Sequence, residues 1–235
     1  MNLLRQASNS VLGRSPSKSG EGAEGKRPSI VSGPGIKIES ITNLPLSPSF
    51  STFAIGDFII TGDRNKLERY SVADGSNTLT HNSAAEVLKM SVSMDGSVIY
   101  LVKGNKQISK LDAATLELIV SQEQPTNETI THLIPSAGIE SNNLLVLTSG
   151  GEGIIIDGTT LQKLSSKKSL HQNGTSCGAI SCNGQSCVTF TNAPGNKQAA
   201  KLWDKNMHEI SKLRQPHFDV VNGVEFHPND RDCFV

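Results

Sequence analysis

The sequence of 235 residues predicts an all-β fold made of repeated units, and two observations carry this prediction. From about Phe50 onward, short runs rich in Val, Ile, Leu and Thr alternate with clusters of Gly, Asn, Asp or Ser. Their spacing of about eight to twelve residues is typical of sheets of short strands. A segment consisting of an apolar residue, an Asp and a short turn also recurs along the chain. No long stretch has the periodicity of an amphipathic helix.

The recurring segment gives the repeat its length. Its copies are LDAATLE, IDGTTLQ and WDKNMHE, which begin at Leu111, Ile156 and Trp203, and a weaker copy, YSVADGS, begins at Tyr70. These four anchor positions are separated by 41, 45 and 47 residues, which is close to the length of about 40 to 45 residues of a β-propeller blade. The repeat signature in these copies comprises Asp112, Asp157, Trp203 and Asp204.

A different motif predicts the start of a further unit. The segment HFDVVNGVEFHP looks like the opening strand of a WD-repeat blade, with signature positions His217, Val221, Val224, Phe226 and Pro228. Together with the Trp203-Asp204 pair, it makes residues 50–235 resemble the WD-repeat family. The resemblance implies four-stranded blades around a central channel and no catalysis. It also implies that His171, Thr189 and Trp203 take three places of the family's hydrogen-bonded set, with Asn in NAPGN where the family has Asp.

The repeats divide the sequence into a tail at residues 1–40 and a partial propeller at residues 41–235. We expect the propeller to contain approximate units at 50–83, 84–125, 126–170 and 171–215 and a truncated unit at 216–235. About four and a half blades are fewer than closed rings usually contain, and closure is what removes exposed sheet edges. We therefore expect an incomplete ring and a fragment of a longer protein.

The tail differs from the rest of the chain in composition and charge. It is rich in Ser, Gly and Pro, and residues 1–37 carry six Lys or Arg against two Glu, which gives a net charge of +4. Such a segment buries too little apolar surface to offset the entropy of ordering, so we expect disorder. It is either a solvated tail or a basic arm for an acidic surface, regulated by phosphate. The candidate phosphosites are Ser8, Ser15, Ser29 and Ser47.

Composition excludes several functional classes. The 22 basic and 22 acidic side chains balance, which disfavours nucleic acid and membrane surfaces as partners. No apolar run reaches the length of about 18 residues that a membrane helix needs, and no signal peptide begins the chain, so we expect a cytoplasmic protein. The spacing of Cys177, Cys182 and Cys187 differs from that of zinc sites. We expect no metal, no cofactor and no disulfide, and we expect these thiols and Cys233 to be buried.

Two short motifs match enzyme patterns without the required context. GEGAEGKR, from Gly20 to Arg27, lacks the hydroxyl residue and the preceding strand of a phosphate-binding loop. GTSCG, around Ser176, has the spacing of a nucleophile elbow, but a strand rather than a helix is expected after it. We therefore predict no catalytic residues, and a serine hydrolase acting through Ser176 is a remote alternative.

The leading functional hypothesis is a protein-protein interaction scaffold with a basic, phospho-regulated arm. Residues 175–235 also resemble echinoderm microtubule-associated protein-like proteins, on the strength of LWDKNMHE and VNGVEFHPND. That resemblance implies association with microtubules, in which a basic, Ser-rich N-terminal region takes part. Binding to microtubules or another part of the cytoskeleton is therefore the alternative hypothesis.

Overall fold

Sixteen β-strands form four antiparallel sheets in the part of the chain that the computed structural model describes, which is residues 51–171, 174–192, 200–213, 221, 223–230 and 233–234. The first sheet contains β1 (Ser51–Ile55), β2 (Phe58–Asp63), β3 (Lys66–Ser71) and β4 (Asn77–Asn82). The second contains β5 (Val87–Val92), β6 (Val98–Lys103), β7 (Gln107–Asp112) and β8 (Leu118–Glu123). The third contains β9 (Ile130–Pro135), β10 (Leu144–Thr148), β11 (Gly153–Ile156) and β12 (Lys163–Lys167). The fourth contains β13 (Cys177–Ile180), β14 (Ser186–Phe190), β15 (Ala200–Asp204) and β16 (Glu209–Leu213).

Each sheet is a meander in which strands adjacent in sequence are adjacent in space. The first strands of the sheets are neighbours: β5 contacts β1 on one side and β9 on the other, and β9 also contacts β13. The fourth strands carry mostly exposed side chains, as in the pattern of β8. The sheets therefore stand side by side, with first strands inside and fourth strands outside. The prediction of an all-β fold of four-stranded units is confirmed.

The core lies between successive sheets rather than within one central layer. On β6, Ile99 and Leu101 pack toward the first sheet, whereas Tyr100 and Val102 pack toward the third. All four side chains are at most 2% exposed. A strand that is covered on both faces needs apolar residues at every position, which explains the continuous run VIYLVK. Burying each such side chain contributes about 1.5 to 3 kcal/mol.

Turns between first and second strands use a short polar motif that sequence analysis did not detect. In the second sheet, the carboxylate of Asp95 accepts hydrogen bonds from the backbone N–H of Ser97 (3.0 Å) and the hydroxyl of Ser93 (2.6 Å). Gly96 follows with a φ of 73°, a conformation that glycine adopts without strain. The fourth sheet repeats the motif with Asn183 and Gly184. These turns hold adjacent strands in fixed register.

A fifth unit begins after the fourth sheet. Phe226 and Phe234 form an antiparallel bridge, with their rings in an edge-to-face contact at 5.4 Å. Phe226 and Val224 are buried against the face of the fourth sheet that is turned away from the third sheet. Among the described residues, no apolar cluster joins the fourth sheet to the first. The described residues therefore do not form a closed ring, as predicted. The same residues include no helix long and apolar enough to cross a membrane.

Candidate protein-binding surface

The four anchor residues of the sequence repeat occupy one structural position. Tyr70, Leu111, Ile156 and Trp203 lie near the end of the third strand of their sheets and are at most 6% exposed. The pairing of the third with the fourth strand shifts register immediately before each of them. Such a bulge bends the strand and changes the direction of the chain entering the next turn. The repeat thus marks a bulge followed by a turn.

An Asp caps the turn between the third and fourth strands in three of the sheets. Asp112 accepts hydrogen bonds from the backbone N–H groups of Ala114 (2.9 Å) and Thr115 (2.8 Å). Asp157 accepts equivalent bonds from two successive N–H groups (2.7 and 2.8 Å). Asp204 accepts from the N–H groups of Asn206 and His208 (2.9 and 2.8 Å), two and four residues later. A short carboxylate side chain suits this geometry because it reaches backbone N–H groups two to four residues later.

The same turns place a large apolar residue in the left-handed backbone region. Leu116, Leu161 and Met207 have φ values of 57°, 61° and 63°. Each is at most 3% exposed and packs in the cluster between its own sheet and the preceding one. Burial of the side chain therefore outweighs the strain of about 1 to 3 kcal/mol that this backbone conformation imposes. Sequence analysis did not identify these residues, although an apolar residue three or four positions after each Asp was the available signal.

We call the surface that carries these turns the aspartate face and define it by Asp74, Asp95, Asp112, Asp157 and Asp204. In an antiparallel meander, the first and third turns lie at the same end of the strands, so the five carboxylates share one end. Backbone hydrogen bonds from Ser76 and Thr115 lower the pKa values of Asp74 and Asp112. Both groups are therefore ionised at neutral pH, and the face is negatively charged.

Two clefts open on the aspartate face. One lies between the second and third sheets, where Met94, Tyr100, Pro135 and Ile139 line it beside Asp95. The side chain of Ile139 is 79% exposed and that of Met94 is 43% exposed. The other cleft lies between the first and second sheets and is lined largely by apolar groups. The arrangement therefore combines exposed apolar side chains, surface clefts and carboxylates on turns whose backbones are fixed by hydrogen bonds.

Three residues of the predicted signature region meet inside the fourth sheet. The indole N–H of Trp203 donates to Oγ1 of Thr189 (2.8 Å), and Nε2 of His171 lies 2.9 Å from the same oxygen. All three residues are buried. Burial, together with the charge of Lys201, lowers the pKa of His171 to about 4, so the imidazole is neutral at physiological pH. These hydrogen bonds connect His171, in the loop before the fourth sheet, to Thr189 on the second strand and Trp203 on the third strand of that sheet.

Comparison with known proteins found similarity to solved structures. No family model matches the chain, and no curated protein matches it either. Among solved structures, the chain is similar to Raptor from Chaetomium thermophilum, with 14% sequence identity, a TM-score of 0.59 and 76% of this chain covered. It is also similar to the Pan2 WD40 domain from Neurospora crassa, with 16% identity, a TM-score of 0.57 and 76% covered.

The fold is a WD40-type β-propeller. The similarity covers 18% of the Raptor chain and 55% of the Pan2 chain, so this chain spans about half the length of the latter. Each of the four sheets is one blade, and β1, β5, β9 and β13 are the inner strands. The WD-repeat resemblance of the sequence predicted this architecture correctly.

The described signature residues of the fifth unit pack on the fourth blade. The side-chain amide of Asn192 donates to the carbonyl of Val221 (2.8 Å), and its oxygen accepts from the N–H of Val221 (2.9 Å). Val224 and Phe226 are buried, and Pro228 lies in the following turn. His217 and the candidate phosphosites Ser8, Ser15, Ser29 and Ser47 lie outside the described residues.

In the part of the chain that the structure describes, Ser176 does not lie in a nucleophile elbow. It precedes β13 rather than a helix, and its hydroxyl accepts the backbone N–H of Asn192 at 2.9 Å. Within the described residues, no group of three or more His, Cys, Asp or Glu could hold a metal ion. Cys177, Cys182 and Cys187 are buried as expected, but the expectation for Cys233 is wrong, because this thiol is exposed. Cys233 precedes Phe234, whose ring reaches Phe226 instead.

Proposed function

We propose that this protein is a non-catalytic interaction scaffold whose aspartate face binds a protein partner. The observation that carries the proposal is the pair of exposed apolar side chains, Met94 and Ile139, beside a cleft on a negatively charged face. Because hydrogen bonds already fix the turns that carry these two residues, binding has to order mainly the two side chains and not the backbone. Apolar anchors next to a cleft are typical of the energetic centre of a protein interface.

The surrounding charge indicates the chemistry of the partner. Ionised Asp95 and Asp112 lie beside the two clefts, so a partner with Lys or Arg next to an apolar residue would be complementary. Screened charges at the rim contribute mainly to association rate and partner choice, whereas the apolar anchors supply affinity. We therefore expect affinity to depend more on Ile139 than on any single carboxylate.

Crosslinking of bound proteins to this chain, followed by their capture, tests this proposal when matched variants of the chain are compared. Ile139→Ser combined with Met94→Ser removes the anchors, and Leu118→Ser removes a similarly exposed side chain, 53% exposed, from the outer strand β8. Partners that bind the aspartate face are lost with the double variant and retained with Leu118→Ser. Equal recovery with both variants would reject the aspartate face as the binding surface. Unchanged recovery with Ser176→Ala is expected, since the proposal assigns Ser176 no chemistry.

The basic residues 1–37 form a second element of the proposal. Their net charge of +4 suits an acidic partner surface, such as a microtubule, and phosphate on Ser8, Ser15, Ser29 or Ser47 would weaken that attraction. Co-sedimentation with microtubules, with and without residues 1–37, tests this element. We expect binding that falls as salt rises from 50 to about 200 mM, because an arm of this kind acts through screened charge. Binding that persists at high salt or without these residues would contradict it.

A further inference from the structure

Three blades carry an exposed apolar side chain at the same position of the outer strand. Ile119, Leu164 and Ile210 are 53%, 55% and 55% exposed. Each is the residue of the fourth strand that the shift of register opposite the third strand leaves without a pairing partner. Such a residue interrupts the ladder, and the bulge re-aims its side chain. The bulge therefore has a second effect, because it presents a large apolar side chain to solvent on the outside of these blades.

The charge around these side chains differs between the blades. On β8 and the turn before it, the charged residues are Glu117 and Glu123. Residues 158–171, which include β12, instead contain three lysines and no acidic residue. All three lysines are exposed, and no ion pair between described residues includes them. They are Lys163, Lys167 and Lys168. The outer strand of the third blade therefore combines the exposed Leu164 with unpaired positive charge.

A hydrogen bond between the third and fourth blades brings a further lysine to this strand. The hydroxyl of Ser165, the residue after Leu164, donates to the carbonyl of Lys205 in the turn between β15 and β16 (2.7 Å). The side chain of Lys205 is exposed and takes part in none of the ion pairs between described residues. The hydrogen bonds that Asp204 accepts fix the same turn. Lys205 therefore adds its charge beside β12 at a fixed place.

On the fourth blade, the acidic residue next to Ile210 is already neutralised. A carboxylate oxygen of Glu209 lies 3.3 Å from the ammonium of Lys201, and the other lies 3.6 Å from that of Lys212. Lys201 also donates to the carbonyl of Leu170 (2.8 Å), which connects the start of β16 to the segment after β12. The exposed Ile210 and the exposed lysines of the third blade therefore share one outer surface.

We call this surface the lysine rim and define it by Leu164, Lys167, Lys168, Lys205 and Ile210. We propose that the lysine rim binds an acidic segment of a partner protein in which large apolar residues lie among Asp or Glu. The lysines attract the carboxylates, and the two apolar side chains supply contact area whose contribution salt does not screen. The lysines and the bulge disfavour addition of a partner strand to β12, so the segment binds through its side chains. The lysine rim is opposite in charge to the aspartate face and independent of binding there.

The surface of an anionic membrane fits the lysine rim less well than a protein segment does. Membrane-bound segments bury their apolar side chains about 5 to 10 Å deep at the boundary of the acyl chains. Leu164 and Ile210 lie within β12 and β16 rather than at the tip of a loop. A protein segment that lies along the lysine rim reaches both side chains without any such insertion.

Fluorescence anisotropy with labelled synthetic peptides and the full 235-residue chain tests the proposal. The probe is the acidic, apolar peptide EELLEELLEE, and the control peptides are EESSEESSEE and KKLLKKLLKK. We expect the wild type to bind the probe more tightly than either control peptide. Leu164→Ser combined with Ile210→Ser weakens binding of the probe at least about tenfold, because two apolar contacts are lost. Lys167→Gln combined with Lys168→Gln weakens it at least about threefold, through loss of two exposed charges.

Matched variants of the second blade keep the affinity of the wild type for the probe. Leu118→Ser combined with Ile119→Ser removes two side chains that are each 53% exposed on β8. Lys89→Gln combined with Lys106→Gln removes two exposed lysines. The basic residues 1–37 are present in every variant, so a difference between variants reports on the lysine rim.

Three results would overturn the proposal. The first is equal affinity of the wild type and the variants of the lysine rim for EELLEELLEE, or no binding at all. The second is equal binding of EELLEELLEE and EESSEESSEE, because the apolar side chains would then contribute nothing. The third is binding to vesicles of phosphatidylserine that is lost with Leu164→Ser and Ile210→Ser while the peptide does not bind, which assigns the surface to a membrane.

Discussion

Thr189→Val tests whether the hydrogen bonds at the centre of the fourth blade stabilise the fold. The substitution keeps the shape of the side chain but removes the oxygen that accepts the indole N–H of Trp203 at 2.8 Å and lies 2.9 Å from Nε2 of His171. All three side chains are buried, so water does not replace the lost partner. Each buried polar group left without a partner costs about 1 to 3 kcal/mol. We therefore expect the free energy of unfolding to fall by about 3 kcal/mol.

Urea unfolding followed by tryptophan fluorescence measures this change, since Trp203 is the only tryptophan in the sequence. Thr189→Ser is the matched control: it keeps the hydroxyl, loses one methyl group and costs about 1 kcal/mol. In Thr189→Val we also expect altered emission before unfolding, because the indole N–H loses its acceptor. A loss below about 0.5 kcal/mol in Thr189→Val, or equal losses in both variants, would refute the reasoning, because the hydroxyl would then contribute nothing.

Acidification destabilises the protein, because burial and the charge of Lys201 lower the pKa of His171 from 6.5 to about 4. As pH falls below 6.5, the unfolded chain takes up the proton first, and about 3 kcal/mol of stability is lost by pH 4. Urea titrations across this range should show a smaller slope for His171→Gln, and equal slopes would contradict the assignment. Met207→Ala lowers the free energy of unfolding by about 2 to 4 kcal/mol, because it leaves a cavity. The control Leu118→Ala, at a position 53% exposed, changes it by less than about 0.5 kcal/mol. Thermal unfolding that ranks the two variants in the other order would reject the packing of Met207 between the third and fourth sheets. Gly178→Ala would place a Cβ 2.9 Å from the carbonyl oxygen of Val188 and destabilises the protein by at least about 2 kcal/mol. The control Gly223→Ala, with no atom within 4 Å of the new Cβ, leaves the denaturation midpoint unchanged.

The strand pattern and the repeat could be predicted because their causes are local. Runs such as VIYLVK and LLVLT indicate strands buried on both faces, and Asp112, Asp157 and Asp204 cap turns whose hydrogen bonds span two to four residues. The spacing of the anchors followed from one bulge and one turn for each blade. The candidate surface was not predicted. Met94 and Ile139 lie 45 residues apart in the sequence, and each on its own resembles an ordinary apolar residue of a turn.

By itself, the sequence determined the fold class, the length of the repeat and the position of the aspartate turns, because apolar runs separated by turn residues and side-chain capping act over a few residues. The tertiary structure decided which residues pack between neighbouring blades. Leucine is disfavoured in the left-handed backbone region, yet Leu116 and Leu161 adopt it, because packing against the preceding blade outweighs the local preference. Contacts between residues distant in the chain set these features.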